Sequence, residues 1–127
     1  MPFFKGEVKA SPRNEFLYWS DDGDLLALRV HEWKISFKEQ EHKGIDVWRR
    51  EFTNLRAPKI YNLRADPFEQ GDASMEYDKW MVERTFLIVP SQAVVGQWLA
   101  SFKEFPIRQK PASFNLDQVM EKLTPKQ

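Results

Sequence analysis

Three carboxylates crowd one short stretch, Asp21-Asp22-Gly23-Asp24, and carboxylate oxygens at this density are what a hard cation such as calcium requires. Setting Gly23 at the bend of a twelve-residue calcium loop puts Tyr18 first and Arg29 last, where carboxylates are needed. A hairpin turn explains the same residues, because Gly accepts the positive φ that such turns demand. The turn reading is preferred. His31 and His42 have no cysteine near them and no further histidine at helical spacing, so both are expected at the solvated surface rather than on zinc or in catalysis. The carboxylate pairs Asp21/Asp22 and Glu39/Glu41 fall in turns, where nothing drives their proton affinities apart as acid–base work demands.

A basic run, Arg49, Arg50, Arg56, Lys59 and Arg64, interleaves with Trp48, Phe52 and Tyr61. Cations for phosphate and rings for stacking are the ingredients of single-stranded nucleic-acid binding. The chain nevertheless balances 19 basic against 19 acidic residues, and Glu51 interrupts the run. No nucleic-acid partner is expected. Arg64 is expected instead to offer its forked donors to Asp66 or Glu69 at a strand exit. The absence of cysteine excludes disulfides, thiolate metal sites and a cysteine nucleophile. No 18-residue apolar run exists, so no membrane partner is expected. The opening Met1-Pro2-Phe3-Phe4-Lys5-Gly6-Glu7 lacks the basic-then-apolar layout of an export signal, and the compartment stays open.

The elements that must position these residues change period halfway along. The 127 residues suit a single domain with an ample aromatic core, given 5 Trp and 10 Phe. Residues 1–14 read as an extended entry, 15–70 as sheet and 74–123 as helices. Glu15 to Trp19 is an aromatic strand, Leu25 to Val30 its hairpin partner, and Trp33 to Lys38 alternates like a strand with one wet face. Val47-Trp48 and Phe52 suggest a short edge piece, and Lys59 to Leu63 a further strand closed by Asp66-Pro67. Asn54-Leu55-Arg56-Ala57-Pro58 echoes Asn62-Leu63-Arg64-Ala65-Asp66-Pro67, by chance or as two similar strand-to-turn exits. Tyr77, Trp80, Met81, Arg84, Leu87 and Ile88 then follow helical spacing, as do Val94, Val95, Trp98, Leu99, Phe102 and Phe105. Ser74 and Glu76 supply start signals, and Pro90 fits the first turn of a second helix. A final helix is expected over Leu116 to Leu123, capped by Ser113 or Asn115. Strands followed by helices predict an α+β fold: an antiparallel sheet of about four strands in the first half packed against C-terminal helices. The aromatic stripe from Tyr77 to Phe105 is broad enough to fill a core and leave a patch for another domain.

Trp19-Ser20-Asp21-Asp22-Gly23-Asp24-Leu25-Leu26-Ala27-Leu28-Arg29, then Trp33-Lys34, then Tyr61-Asn62-Leu63-Arg64-Ala65-Asp66-Pro67-Phe68-Glu69, resembles the C-terminal region of arylsulfatases of the alkaline-phosphatase-like superfamily. That region typically carries an aromatic strand, an Asp-Gly-Asp turn, Leu-x-Ala-x-Arg, Trp-Lys and Asn-Leu-x-x-Asp-Pro-x-Glu in this order. The likeness continues through Trp80, Pro90, Phe102 to Pro106 and Arg108 to Phe114, and so covers nearly the whole chain. It implies a four-stranded antiparallel sheet packed against a C-terminal helix, buttressing a catalytic α/β domain whose substrate cleft its loops approach. Trp19, Arg29, His31, Trp33, Trp48 and Arg64 are the expected interdomain or cleft-rim contacts; Asn62, Asp66 and Pro67 are expected to be structural.

Family members oxidise the first residue of Cys-x-Pro-x-Arg or Ser-x-Pro-x-Arg to formylglycine and use calcium held by Asp and Asn oxygens. Cysteine is absent here, and Ser11-Pro12-Arg13 is contiguous and lacks the spacers. The resemblance therefore implies the non-catalytic subdomain of a sulfuric ester hydrolase, without formylglycine or calcium of its own. Its family is often periplasmic or secreted. The implied partner is a catalytic sulfatase domain, and self-association to a dimer is expected when the chain stands alone. The alternative is a free-standing interaction or ligand-binding module that self-associates.

Overall fold

The structure, a computed structural model, describes residues 4–108 and Leu123. Strand-forming segments in the first half and helical spacing in the second produce an α+β architecture. Strands β1 (Glu15–Trp19), β2 (Leu25–Val30), β3 (Trp33–Glu39) and β4 (Thr53–Asn62) form a four-stranded antiparallel sheet in the order β1-β2-β3-β4. Helices α1 (Asp46–Arg49), α2 (Tyr77–Val82) and α3 (Ile88–Ser101) complete it, with 3₁₀ turns at Gly71–Ala73 and Thr85–Leu87.

The acidic β1–β2 connection is a hairpin turn. Gly23 adopts φ 83° and donates its N–H to the Ser20 carbonyl at 3.0 Å, while Ser20 Oγ accepts the Asp24 N–H at 3.0 Å. Asp24 then turns its carboxylate to Lys38 at 3.2 Å. The β2–β3 connection is tighter, and His31 holds it at φ 52°, a left-handed conformation uncommon outside Gly and Asn.

Strand alternation gives the sheet two unlike faces. Leu28 pairs with Ile35 and Ile35 with Ile60, so one row crosses β2, β3 and β4, and these are the fully buried side chains. Each such burial contributes roughly 1.5–3 kcal/mol. The helices lie on this face: Trp33 meets Trp80 of α2 at 6.1 Å, and Trp19 meets Phe102 just beyond α3 at 5.6 Å. The other face carries Phe16, Arg29, Lys34 and Tyr61 in one register row. There Arg29 lies over the Phe16 ring at 5.8 Å and Lys34 over Tyr18 at 4.7 Å. This side closes on itself with cation–π contacts and ion pairs.

Two sequence expectations change. The expected edge piece at Val47-Trp48 is the helical turn α1, because Gln40 Nε2 donates to the carbonyls of Val47 (3.3 Å) and Arg50 (3.1 Å) and fastens both ends. Strand β4 begins at Thr53 rather than Lys59, with Pro58 inside it. Pro is tolerated because β4 is an edge strand and the ladder is irregular there: Lys38 pairs with Asn54 but Ser36 with Lys59. The Asn54–Pro58 echo thus occupies an irregular stretch of β4, while Asn62 alone stands at a strand exit. Pro90 is the third residue of α3, where its missing N–H has no intrahelical acceptor to lose. The final helix expected at 116–123, with its caps, lies outside the described residues apart from Leu123.

Candidate functional site

A cavity of about 480 Å³ opens between the end of β4, the loop that follows it and α2, with Ile60, Asn62, Asp66, Glu76, Tyr77 and Trp80 among its walls. Its floor is built by the Asn-Leu-x-x-Asp-Pro segment. The Asn62 side-chain oxygen accepts the N–H groups of Arg64 (3.0 Å) and Ala65 (3.2 Å), and the Asn62 carbonyl accepts that of Asp66 (2.7 Å). Asp66 in turn takes the N–H of Gln70 on Oδ1 (3.1 Å) and of Gly71 on Oδ2 (2.7 Å). Two short polar side chains thereby fold ten residues into a fixed loop, the local hydrogen bonding that favours Asn and Asp in turns. Gly71 must be small, since a Cβ there would stand 2.9 Å from Asp66 Oδ2. Glu69, at φ 54°, reaches back across the sheet to Lys34 at 2.6 Å.

The inner wall is aromatic. Tyr77 stacks on Trp80 at 5.8 Å and lies 6.2 Å from Tyr61, while Arg84 sits 4.3 Å above the Trp80 ring and donates to the Trp80 carbonyl at 2.9 Å. The Tyr77 hydroxyl donates to the Ile60 carbonyl (2.8 Å) and accepts the Ile60 N–H (2.9 Å). Beside it Lys59 Nζ is shared between Glu39 (2.6 Å) and Asp72 (2.9 Å).

These contacts set the local proton affinities. Burial works to lower the Lys59 pKa, but hydrogen bonds and charge from Glu39 and Asp72 outweigh it and hold the ammonium above its usual value. Burial first, then the Asp72 charge, pushes Tyr61 far above an ordinary phenol. Burial also raises Tyr77, against the opposing hydrogen bond from Ile60.

Chemically, the polar groups of the interior are spent on the fold. Asp66 is taken by backbone N–H groups, Ser74 Oγ by the Gly71 carbonyl at 2.7 Å, and the Tyr77 hydroxyl by Ile60. Glu76, Lys79 and Glu83 complete the lining from exposed positions on and beside α2. Among the described residues no three His, Asp or Glu side chains converge to hold a metal ion.

No protein-family model matches the chain, and none of the curated proteins matches it.

The six residues expected at an interdomain or cleft-rim surface do not form one site. Trp19 ends β1 and packs on Phe102; Arg29 lies on the opposite sheet face, its Nε donating to the His31 carbonyl at 3.0 Å. His31 is exposed in the β2–β3 turn, Trp33 is half-buried against Trp80, and Trp48 is 75% exposed on α1. Arg64 is exposed and forms no ion pair among the described residues: Asp66 is occupied by backbone donors and Glu69 by Lys34. Asn62 and Asp66 act as framework through their hydrogen bonds to the loop backbone. Sequence reasoning missed Tyr77, Trp80 and Gly71 as cavity residues. The Tyr77-x-x-Trp80 spacing reads as core, and only the loop closed by Asp66 turns that core edge into a recess.

Proposed function

We propose that this chain is the C-terminal, non-catalytic subdomain of an arylsulfatase-like sulfuric ester hydrolase, where it buttresses the catalytic domain and helps shape the substrate cleft. One observation carries the reading: the helical half leaves large apolar side chains in the open. Val82 (63%), Phe86 (67%) and Val89 (72%), on α2, α3 and the turn between them, are exposed, as are Phe105 and Ile107 beyond α3. Against this, the buried hydrophobic residues among those described number only six. Apolar exposure of this kind supports packing against a larger protein body. The residues behind the resemblance support the same role, because Asn62, Asp66, Trp33 and Trp80 hold a frame together.

Sequencing the coding region upstream of Met1 tests the proposal. An in-frame alkaline-phosphatase-like domain with a Cys- or Ser-x-Pro-x-Arg motif is the expected finding. A start signal at Met1 with no such domain upstream would overturn it in favour of a free-standing interaction module. The chain by itself is expected to hydrolyse no nitrophenyl sulfate with calcium present; turnover that survives further purification would contradict the non-catalytic role.

A further inference from the structure

The two edges of the sheet are treated differently. On β4 the outward backbone groups of Ile60 are closed by the Tyr77 hydroxyl, and Arg56, Pro58, Lys59 and a ladder irregularity interrupt the strand. Lysine, proline and bulges are the usual devices against unwanted strand pairing. Strand β1 has no lysine and no proline, and its one ladder irregularity falls at its far end, between Tyr18 and Trp19. Phe16-Leu17-Tyr18-Trp19 is uncharged, aromatic and free of Pro and Gly.

Register shows which β1 groups face outward. His31 N–H donates to the Asn14 carbonyl at 3.0 Å, so the Asn14–His31 pair is hydrogen-bonded across the β1–β2 ladder. Bonded and non-bonded pairs alternate in an antiparallel ladder. Phe16 and Tyr18 therefore bond to β2, and the N–H and C=O groups of Glu15 and Leu17 point to the open edge. Among the described residues no backbone group outside β2 bonds to β1.

We infer that β1 is a self-pairing edge, at which a second copy of this chain docks its own β1 antiparallel to build a continuous eight-stranded sheet. The occupant follows from self-complementarity. A two-fold axis through Leu17 sets Leu17 opposite its own copy and Glu15 opposite the partner copy's Trp19, so the outward backbone groups of both strands meet. Phe16 then stands opposite Tyr18 of the other copy, a cross-strand aromatic pair at a non-hydrogen-bonded position where side chains approach closely. The strand's single charge, Glu15, is not opposed by its own image. Isologous pairing of this kind closes at a dimer instead of propagating, since β4 offers no second sticky edge. This inference is independent of the sulfatase reading.

The chain has no native cysteine, which permits a register-specific test. Mixing Phe16→Cys with Tyr18→Cys protein under mild oxidation should give a disulfide-linked dimer, while neither variant alone should do so. Multi-angle light scattering should show a concentration-dependent dimer for the unmodified chain. It should show a monomer for Glu15→Pro, which deletes an outward N–H at the first strand position, where Pro is tolerated; circular dichroism confirms that the variant is folded. A monomer at every concentration, or a dimer that survives Glu15→Pro and gives no mixed cross-link, would overturn the assignment.

Discussion

The hydroxyl of Tyr77 both donates to and accepts from the backbone of Ile60, at 2.8 and 2.9 Å, so one side chain from α2 completes the hydrogen bonding of an edge strand at its most buried residue. It locks the helical layer to the sheet and forms the rear wall of the cavity. Removing that oxygen strands a donor and an acceptor that water cannot reach.

Tyr77→Phe is accordingly expected to cost about 2–3 kcal/mol. Urea denaturation of the variant beside the unmodified chain measures it. A change within error would mean that water replaces the hydroxyl and that the edge is less enclosed than its burial implies.

The loop after β4 should be sensitive to single atoms. Asp66→Ala frees the N–H groups of Gln70 and Gly71, and Gly71→Ala drives a methyl group against Asp66 Oδ2. Each is expected to lower stability by about 1–2 kcal/mol, and the double variant by less than the sum, because both act on one contact. Additive losses in a double-mutant cycle would sink this account of the loop.

Stability should fall in alkali. The folded state holds the protons of Lys59, Tyr61 and Tyr77 more tightly than the unfolded chain, whose values are 10.5 for lysine and 10.0 for tyrosine. Their contribution is fully present below those values and drains away as pH rises through and beyond them. Thermal melting between neutral pH and this range should show the decline, and Tyr61→Phe should flatten it. An unchanged slope in that variant would assign the alkaline limb to other groups.

Calcium should leave the protein unmoved. Asp24 is engaged by Lys38, and Asp21 and Asp22 stand exposed in a hairpin turn. Melting curves with and without millimolar calcium are expected to superimpose; an upward shift would restore Asp21–Asp24 as a cation loop.

Much of this architecture is written in local patterns. The aromatic run Glu15–Trp19, the apolar Leu25–Val30 and alternation over Trp33–Lys38, with Gly23 between the first two, fix the meander, because side-chain pattern and turn chemistry act over a few residues. Helical spacing from Tyr77 onward and the place of Pro90 are equally local. Where the sequence misleads, a distant group intervenes. Val47-Trp48 turns into a helix because Gln40 reaches its carbonyls, and β4 extends past Pro58 because an edge strand need not donate there. The cavity and its aromatic wall depend on contacts such as Tyr77 with Ile60 and Glu69 with Lys34, which join residues far apart in the chain. No periodicity encodes such pairs. Residue type determined what each segment could become, and the closing of the sheet against α2 decided which side chains were spent on the fold and which were left exposed.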